Sequence, residues 1–161
     1  MKLSVQSGKF KKNGLCRVEY KDGSVYEGNW TDNKRDGYGK YIWPNGDVYE
    51  GNSKKNIRTG LGRYTYRSGG VYEGSFKDDS RHGKGQYTSS SGRVYKGEWR
   101  DNKRHGIGKL IWSDGAVYEG DFQQVSSCER KNGAAEMFFH CWRGDCIYIY
   151  HALSYVLLFY C

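Results

Sequence analysis

The sequence predicts an all-β fold, an elongated antiparallel β-meander solenoid of about five 23-residue hairpin repeats. The first indication is a repeat without slippage, because a Val-Tyr pair recurs every 23 residues, at Tyr26, Tyr49, Tyr72, Tyr95 and Tyr118. The second is composition: Gly supplies 23 of 161 residues, Pro one, and aromatic residues 16%, which favours short strands and tight turns over disorder. Only 37% of the residues are apolar, which excludes one large core and fits repeats that pack on their neighbours.

The first half of each repeat predicts a strand. In residues 25–30, alternation places Tyr26, Gly28 and Trp30 on one face of the strand. An aromatic ring can lie across a neighbouring strand only where no Cβ obstructs it, so we expect the rings to cover facing glycines. This arrangement gives every repeat the same small packing unit.

The second half of each repeat predicts the partner strand. One face of residues 37–43 is expected to carry Gly37, Gly39, Tyr41 and Trp43. The next connection, such as Asn45-Gly46 or Asp114-Gly115, is predicted to be a two-residue type I′ turn. The link within a repeat, such as Thr31–Asp36, is predicted to be a polar loop. Consecutive hairpins of this kind give a meander of roughly ten strands.

The structural core is predicted at the positions that recur in every repeat. A single repeat has too few apolar residues to bury a core of its own, so its recurring aromatic and Gly positions must pack against neighbouring repeats. The predicted core residues are Tyr26, Gly28, Trp30, Gly37, Gly39, Tyr49, Gly51, Gly60, Gly62, Tyr72, Gly74, Phe76, Gly83, Gly85, Tyr95, Gly97, Trp99, Gly106, Gly108, Tyr118, Gly120 and Phe122.

The chain divides into three predicted segments. Residues 1–23 form a shortened leading repeat or cap, residues 24–123 the repeat array, and residues 124–161 a degenerate repeat, a cap or an anomalous hydrophobic tail. Arg130–Gly133, followed by apolar residues, is one candidate for a displaced last unit. Cys146–Cys161 has no charged residue, and a spanning helix needs about 20 residues, so a capping strand or helix, a shallow membrane anchor and a non-native gene end all stay open.

The repeat resembles a known family. Its best copy runs from Tyr95 to Val117 and includes Trp99, His105-Gly106-Ile107-Gly108 and Asp114-Gly115, a pattern similar to the MORN repeat (membrane occupation and recognition nexus). The resemblance implies a twisted antiparallel sheet that contacts lipids or docks proteins, often at membrane–cytoskeleton junctions. Some members of the family adjoin catalytic domains such as phosphatidylinositol-phosphate kinases, and none fits in the remaining residues here.

The chain departs from the pattern in its first two copies. Ser53 stands where the other copies carry Trp or Phe, and Thr59 and Asp36 stand at the position of His82 and His105. Ser53 is expected to leave a weaker contact, or a shallow notch that another group fills.

Basic residues near the turns are the predicted binding residues. The chain carries a net charge of +8, and basic pairs recur at the repeat period. A row of cations could meet lipid phosphates or an acidic partner, but Asp32, Asp36, Asp78 and Asp79 favour a solvated rim of mixed charge. The predicted rim consists of Lys34, Arg35, Lys54, Lys55, Arg58, Arg81, Lys103 and Arg104.

No catalytic constellation is predicted. His82 and His105 share one repeat position, which indicates a structural role, and the Gly-x-Gly pairs belong to the repeat and not to a nucleotide-binding loop. A zinc site built from His140, Cys141, Cys146, His151 and Cys161 is the weaker alternative to unpaired thiols. We therefore predict no enzyme activity, no metal, no cofactor and no small-molecule substrate.

The sequence thus predicts a non-enzymatic scaffold or adaptor. The expected partners are proteins, including a second copy of the chain, or an anionic phospholipid surface, and no nucleic acid, since the array is only mildly basic. The alternatives are a phospholipid-binding regulatory module associated with a phosphatidylinositol-phosphate kinase, or a fragment of a larger MORN-containing enzyme. Met1–Gly14 is polar and lacks the apolar segment of a signal peptide, which predicts a cytoplasmic protein, peripheral to a membrane or cytoskeletal structure.

Overall fold

The computed structural model describes residues 11–125, 148–152 and 155–159. The chain divides into two compact units, Met1–Gln124 and Val125–Cys161. The candidate last repeat at Arg130–Gly133, and Phe10 of the leading segment, lie outside the described residues.

The first unit is built on one ten-stranded antiparallel sheet in which every strand pairs with its neighbours in the sequence. This confirms the predicted antiparallel meander. The described residues contain no helix. The strands are β1 (Gly14–Glu19), β2 (Val25–Thr31), β3 (Lys34–Ile42), β4 (Val48–Lys54), β5 (Ile57–Thr65), β6 (Val71–Lys77), β7 (Ser80–Thr88), β8 (Val94–Arg100), β9 (Lys103–Ile111) and β10 (Val117–Val125).

The register of the sheet places the repeated tyrosines and glycines opposite one another. Between β2 and β3, Tyr26 lies opposite Tyr41 and Gly28 opposite Gly39. The hydroxyl and outer ring atoms of Tyr26 lie over these two glycines, where an added Cβ would collide with them. The same arrangement recurs at Tyr49, Tyr72 and Tyr95, which are buried over their Gly pairs. Among the described residues, Tyr118 lies over Gly120 alone and is half-buried.

A bulge interrupts each of these strand pairs. After Gly28↔Gly39 the next pair is Trp30↔Arg35, so β3 contains two more residues than β2 in this interval. The same shift follows Gly51, Gly74 and Gly97. Such a bulge increases local twist and changes which face the following side chains occupy.

At the bulge, one glycine in each repeat lies on the face opposite to the one predicted from the sequence. Gly37 has a φ of 105°, and its added Cβ would approach the side chain of Asn29, on the face opposite Tyr26. Gly37 therefore does not share a face with Gly39, Tyr41 and Trp43, as strict alternation predicted. Its equivalents Gly60, Gly83 and Gly106 also have positive φ and face the corresponding residues Asn52, Ser75 and Glu98.

The two turn types are the reverse of those predicted. The link within a repeat is a two-residue type I′ turn and not a loop, since Asp32 and Asn33 have φ of 48° and 65°. Between repeats, the Trp43 amide donates to the Asp47 carbonyl and the Gly46 amide donates to the Trp43 carbonyl. Three residues therefore lie between the hydrogen-bonded residues Trp43 and Asp47, and only Gly46 among them has a positive φ, as in a type I turn followed by a glycine bulge.

The second unit contains two described strands, β11 (Tyr148–Ala152) and β12 (Tyr155–Phe159). They pair antiparallel, with Tyr148 opposite Phe159 and Ala152 opposite Tyr155. Part of the apolar segment Cys146–Cys161 therefore forms a pair of antiparallel strands.

The buried tyrosines make the stability of the first unit sensitive to alkali. Burial raises the pKa of Tyr49 to about 12 and that of Tyr95 to about 12, although Arg58 and Arg104 lower them in part. An unfolded phenol ionises near pH 10, so the contribution of these two tyrosines to stability is fully present below that pH and is lost as the pH rises from about 10 to about 12. We expect tyrosinate absorbance to appear in two steps, the second coinciding with loss of β-sheet circular dichroism. A single step that precedes unfolding would contradict this expectation.

Candidate functional site

One face of the sheet carries a continuous strip of half-buried aromatic rings. We call Tyr41, Trp43, Tyr64, Tyr66 and Tyr87 the aromatic strip. Ring centroids lie 4.6 Å apart for Tyr41–Trp43, 5.3 Å for Trp43–Tyr64, 4.5 Å for Tyr64–Tyr66 and 6.0 Å for Tyr66–Tyr87. All five rings are partly exposed, so the strip is both packed and accessible.

Fully buried rings support the strip from the same face. Tyr72 is 0% exposed, and Trp99 packs against it edge-on at 5.2 Å while also contacting Tyr95 and Tyr87. The Trp99 indole donates a hydrogen bond to the Gly85 carbonyl at 3.2 Å. Because the supporting rings are held by ring contacts and hydrogen bonds, the strip above them is held in place before any ligand arrives.

A row of four arginines runs beside these rings at the repeat period. The guanidinium carbon of Arg35 lies 4.8 Å from the centre of Tyr41, and that of Arg81 lies 4.5 Å from Trp99. We call Arg35, Arg58, Arg81 and Arg104 the arginine row. Each guanidinium stacks on at least one ring, an arrangement that attracts cation and ring electrostatically.

Three of these arginines also bind the turn of the following repeat. The Arg35 amide donates to the Asn56 side-chain oxygen at 2.8 Å, and the Asn56 amide donates to the Arg35 carbonyl at 2.9 Å. The Arg35 guanidinium adds a hydrogen bond to the Asn56 carbonyl at 2.9 Å. Arg58 with Asp79 and Arg81 with Asn102 repeat the pattern. The arginines therefore join consecutive repeats.

Arg58 occupies the region next to Ser53. Ser53 lies opposite Arg58 in the register and is 6% exposed, although it lacks the ring found at this position elsewhere. The Arg58 guanidinium lies 5.5–5.8 Å from four rings, those of Trp43, Tyr49, Tyr64 and Phe76. Its Nε donates to the Asp79 carboxylate at 2.9 Å. We infer that Arg58 fills the space where a ring is missing.

Arg58→Ala is expected to lower the free energy of unfolding by about 2 kcal/mol, because it removes stacking on several rings and a charge-assisted hydrogen bond. Urea unfolding followed by tryptophan fluorescence measures the loss. Arg63→Ala is the matched control, since Arg63 lies on the same strand, faces the other side and has a side chain that is 54% exposed. Equal losses for the two variants would contradict the role of Arg58.

In the structure, the residues of the predicted basic rim fall into two groups, exposed lysines and arginines that pack on rings. Of the predicted residues, only Lys55 lies in a turn, and the others lie in strands. Lys34, Lys54, Lys55 and Lys103 are exposed, whereas Arg104 is 5% exposed and the other arginines are half-buried against rings. The lysines thus stay candidates for electrostatic binding, and the arginines have the structural contacts described above.

The opposite face of the sheet has a different character. Lys40–Glu50, Arg63–Glu73 and Lys109–Glu119 form ion pairs of 2.9 Å, 3.4 Å and 3.1 Å across neighbouring strands. Leu15, Tyr38, Leu61 and Ile107 project there as exposed apolar side chains. The register also places a row of aliphatic and Thr side chains across this face, and its members are Val25, Ile42, Val48, Thr65, Val71, Thr88, Val94 and Ile111. Exposed ion pairs of this kind contribute little stability each, and the alternating signs leave no strong field on this face.

The aromatic strip was missed as a site by the sequence analysis. Tyr41 and Trp43 were assigned to one face of a strand, but not as binding residues. The available signal was the recurrence of a Tyr at residues 41, 64 and 87, with aromatic residues two positions later at 43 and 66.

The described residues show no metal site. No three His, Cys, Asp or Glu side chains within them come together. His82 lies 3.7 Å from the Asp101 carboxylate, and the Nδ1 atom of His105 is buried without a hydrogen-bond partner. Of the weaker zinc candidates, only His151 falls in a described strand, and its side chain is not described. Within residues 11–125 and the two C-terminal strands, no helix has the length and apolarity to span a membrane.

Comparison with known families agrees with the geometry. The family model described as "MORN repeat" matches four successive segments, residues 26–48, 49–71, 72–92 and 95–117, which cover more than half of the chain. No curated protein matches the chain. The matched segments begin at the central tyrosines Tyr26, Tyr49, Tyr72 and Tyr95, and each spans one hairpin unit of the sheet. The chain belongs to the MORN repeat family.

Proposed function

We propose that this protein is a non-enzymatic scaffold that docks a protein partner on the aromatic strip. The observation that carries the proposal is the unbroken row of half-exposed rings from Tyr41 to Tyr87, with arginines stacked beside it. Tyr, Trp and Arg are the residue types that contribute most to binding energy at protein interfaces. The opposite face carries ion pairs and a cross-strand row of Val, Ile and Thr side chains, and among the described residues it has no comparable row of aromatic rings.

The repeat adds a multivalent element to this function. Equivalent rings are presented by consecutive hairpins, so a partner that contacts one repeat is positioned to contact the next. The second contact is then intramolecular, and weak contacts sum along the array. The inter-repeat hydrogen bonds of Arg35 and Arg81 hold the spacing constant.

The proposal is tested with a random peptide display library selected on the full chain. Selected peptides are expected to bind the wild type and to lose affinity for Tyr66→Leu, which removes a ring in the middle of the strip. Tyr38→Leu is the matched control, because Tyr38 is a 60% exposed tyrosine on the opposite face. Ligands that depend on Tyr38, or a selection without ligands, would refute docking on the strip.

A second candidate is phospholipid binding, favoured by the exposure of Lys34, Lys54, Lys55 and Lys103. Each lysine near an anionic membrane surface contributes about 1 kcal/mol. In this form the chain would be a peripheral regulatory module in the cytoplasm, associated with a phosphatidylinositol-phosphate kinase or part of a larger MORN-containing enzyme. Flotation with phosphatidylserine vesicles across a salt series tests it. Binding that falls with salt, and with Lys54→Gln plus Lys55→Gln, supports it, whereas salt-independent binding contradicts it.

A further inference from the structure

We propose that the partner of the aromatic strip is an acidic, proline-rich segment in the polyproline II conformation, which runs across the strands and contacts one repeat with every three residues. The inference rests on the proposed docking function and specifies the chemistry of the partner. It follows from two properties of the aromatic face, the distance between its repeats and the sign of its charge.

The spacing of the rings matches the pitch of one peptide conformation. Tyr41, Tyr64 and Tyr87 lie on alternate strands, so equivalent rings are separated by two strand spacings, about 9.6 Å. A polyproline II helix rises about 9.3 Å in three residues and returns to the same orientation. The mismatch is about 0.3 Å per repeat, small enough for three successive rings to meet equivalent residues.

The other regular conformations match less well. In an extended strand, side chains return to the same side about every 6.7 Å, which does not coincide with the ring spacing. An α-helix returns to nearly the same side after seven residues, or about 10.5 Å, and so drifts about 0.9 Å per repeat. Polyproline II segments are also known to dock on aromatic-lined surfaces, because their backbone is ordered before binding.

The charge of the face selects an acidic partner. The charged strand residues that alternate onto it are the four members of the arginine row, whereas Glu27, Glu50 and Glu73 alternate onto the opposite face. One carboxylate from a connection, Asp47, also touches the strip, where it accepts hydrogen bonds from the Tyr64 hydroxyl and the Arg67 amide at 2.8 Å. Arg58 is already paired with Asp79. The guanidinium groups of Arg35 and Arg81 each donate a hydrogen bond to a backbone carbonyl, and a guanidinium has five N–H donors. Both residues are half-buried, so part of each remains accessible to a ligand.

The two arginines lie at a separation that the same peptide can satisfy. Arg35 and Arg81 are two repeats apart, about 19 Å across four strand spacings. Six residues of polyproline II span about 18.6 Å. A segment with a carboxylate at every third position therefore directs acids toward both guanidinium groups while its prolines lie on the rings of the strip.

The probe is a fluorescently labelled peptide of four Glu-Pro-Pro triplets, titrated with the full chain and followed by anisotropy. Two peptides of equal length serve as comparisons. Lys-Pro-Pro triplets keep the conformation and reverse the charge, and Glu-Ala-Ala triplets keep the charge and lose the prolines. We expect only Glu-Pro-Pro to bind strongly, with an affinity that falls as salt rises.

Two variants locate the site. Tyr66→Leu is expected to weaken Glu-Pro-Pro binding about fivefold, since one ring contact is removed. Tyr38→Leu is expected to leave it unchanged, and unfolding curves for both variants verify that the sheet is intact. No binding of Glu-Pro-Pro, equal binding of either comparison peptide, or equal losses in the two variants would overturn the inference.

The library selection separates this inference from the function on which it rests. Selected ligands that need Tyr66 but lack proline and acidic residues would leave docking on the strip intact and overturn the polyproline II partner. Failure of both the selection and the Glu-Pro-Pro titration would overturn both. Binding to phosphatidylserine vesicles that is lost in Tyr66→Leu would assign the face to a membrane and also overturn the inference.

Discussion

Trp99→Ala is expected to lower the free energy of unfolding by about 3–5 kcal/mol. Trp99 is 4% exposed and its ring contacts those of Tyr72, Tyr87 and Tyr95, so the substitution leaves a large cavity between two repeats. Arg81, whose guanidinium stacks on the indole at 4.5 Å, loses that contact as well. Urea unfolding of the full chain, monitored by circular dichroism, gives the difference.

Ile107→Ala is the control for this substitution. Ile107 is 64% exposed on the opposite face of the next strand, and its truncation is expected to cost less than about 0.5 kcal/mol. A Trp99→Ala loss below about 1 kcal/mol would mean that the contacts around the indole do not contribute to stability.

Gly62→Val is expected to lower the free energy of unfolding by about 3 kcal/mol through overpacking. A Cβ at Gly62 would lie 2.6 Å from Cε2 and 2.8 Å from the hydroxyl oxygen of Tyr49. Tyr49 is 2% exposed and its hydroxyl donates to the Asn52 carbonyl at 2.8 Å, so its ring cannot move aside without losing that bond. Since φ at Gly62 is not positive, the cost arises from the ring and not from the backbone.

A double-mutant cycle isolates that cause. In a Tyr49→Leu background the collision is relieved, so Gly62→Val is expected to cost clearly less there than in the wild type. Tyr95→Leu, two repeats away, serves as the control background, in which the cost of Gly62→Val stays the same. Additivity in both backgrounds would place the origin of the loss elsewhere.

The period of the repeat predicted the meander because the strands pair only with sequence neighbours. Each hydrogen-bonded strand pair is local, so alternation and spacing alone fix which strands are adjacent. The turns were assigned in reverse because Asn45-Gly46 has the composition of a type I′ turn. Asn45 would take a positive φ only in a two-residue connection. The number of residues in the connection depends on where the strand pairing ends, and the Asn-Gly dipeptide alone does not show that.

The candidate site was less predictable than the fold. The role of the arginines depends on hydrogen bonds between residues 21 positions apart, such as Arg35 with Asn56, and these follow from the register across two strands. Their recurrence near the turns suggested a rim, whereas the bulge directs them onto the ring face. The compensation of Ser53 by Arg58 also needed three-dimensional contacts, because the four rings come from three strands and one connecting segment.

Ser53 determines which repeats of the array are expected to unfold first. Later repeats are coupled by stacked rings, Tyr49 with Phe76, Tyr72 with Trp99 and Tyr95 with Phe122. At the junction before Ser53, Tyr26 has no such ring ahead of it. The side-chain coupling there includes the Trp43–Tyr64 contact, the Arg58 guanidinium on Trp43 and the hydrogen bonds of Arg35 to Asn56. In a linear chain of nearest-neighbour units, separation begins at the weakest junction. The backbone amides of β2 and β3 should therefore exchange hydrogen with solvent before those of β6 to β9, because the N-terminal repeats unfold first.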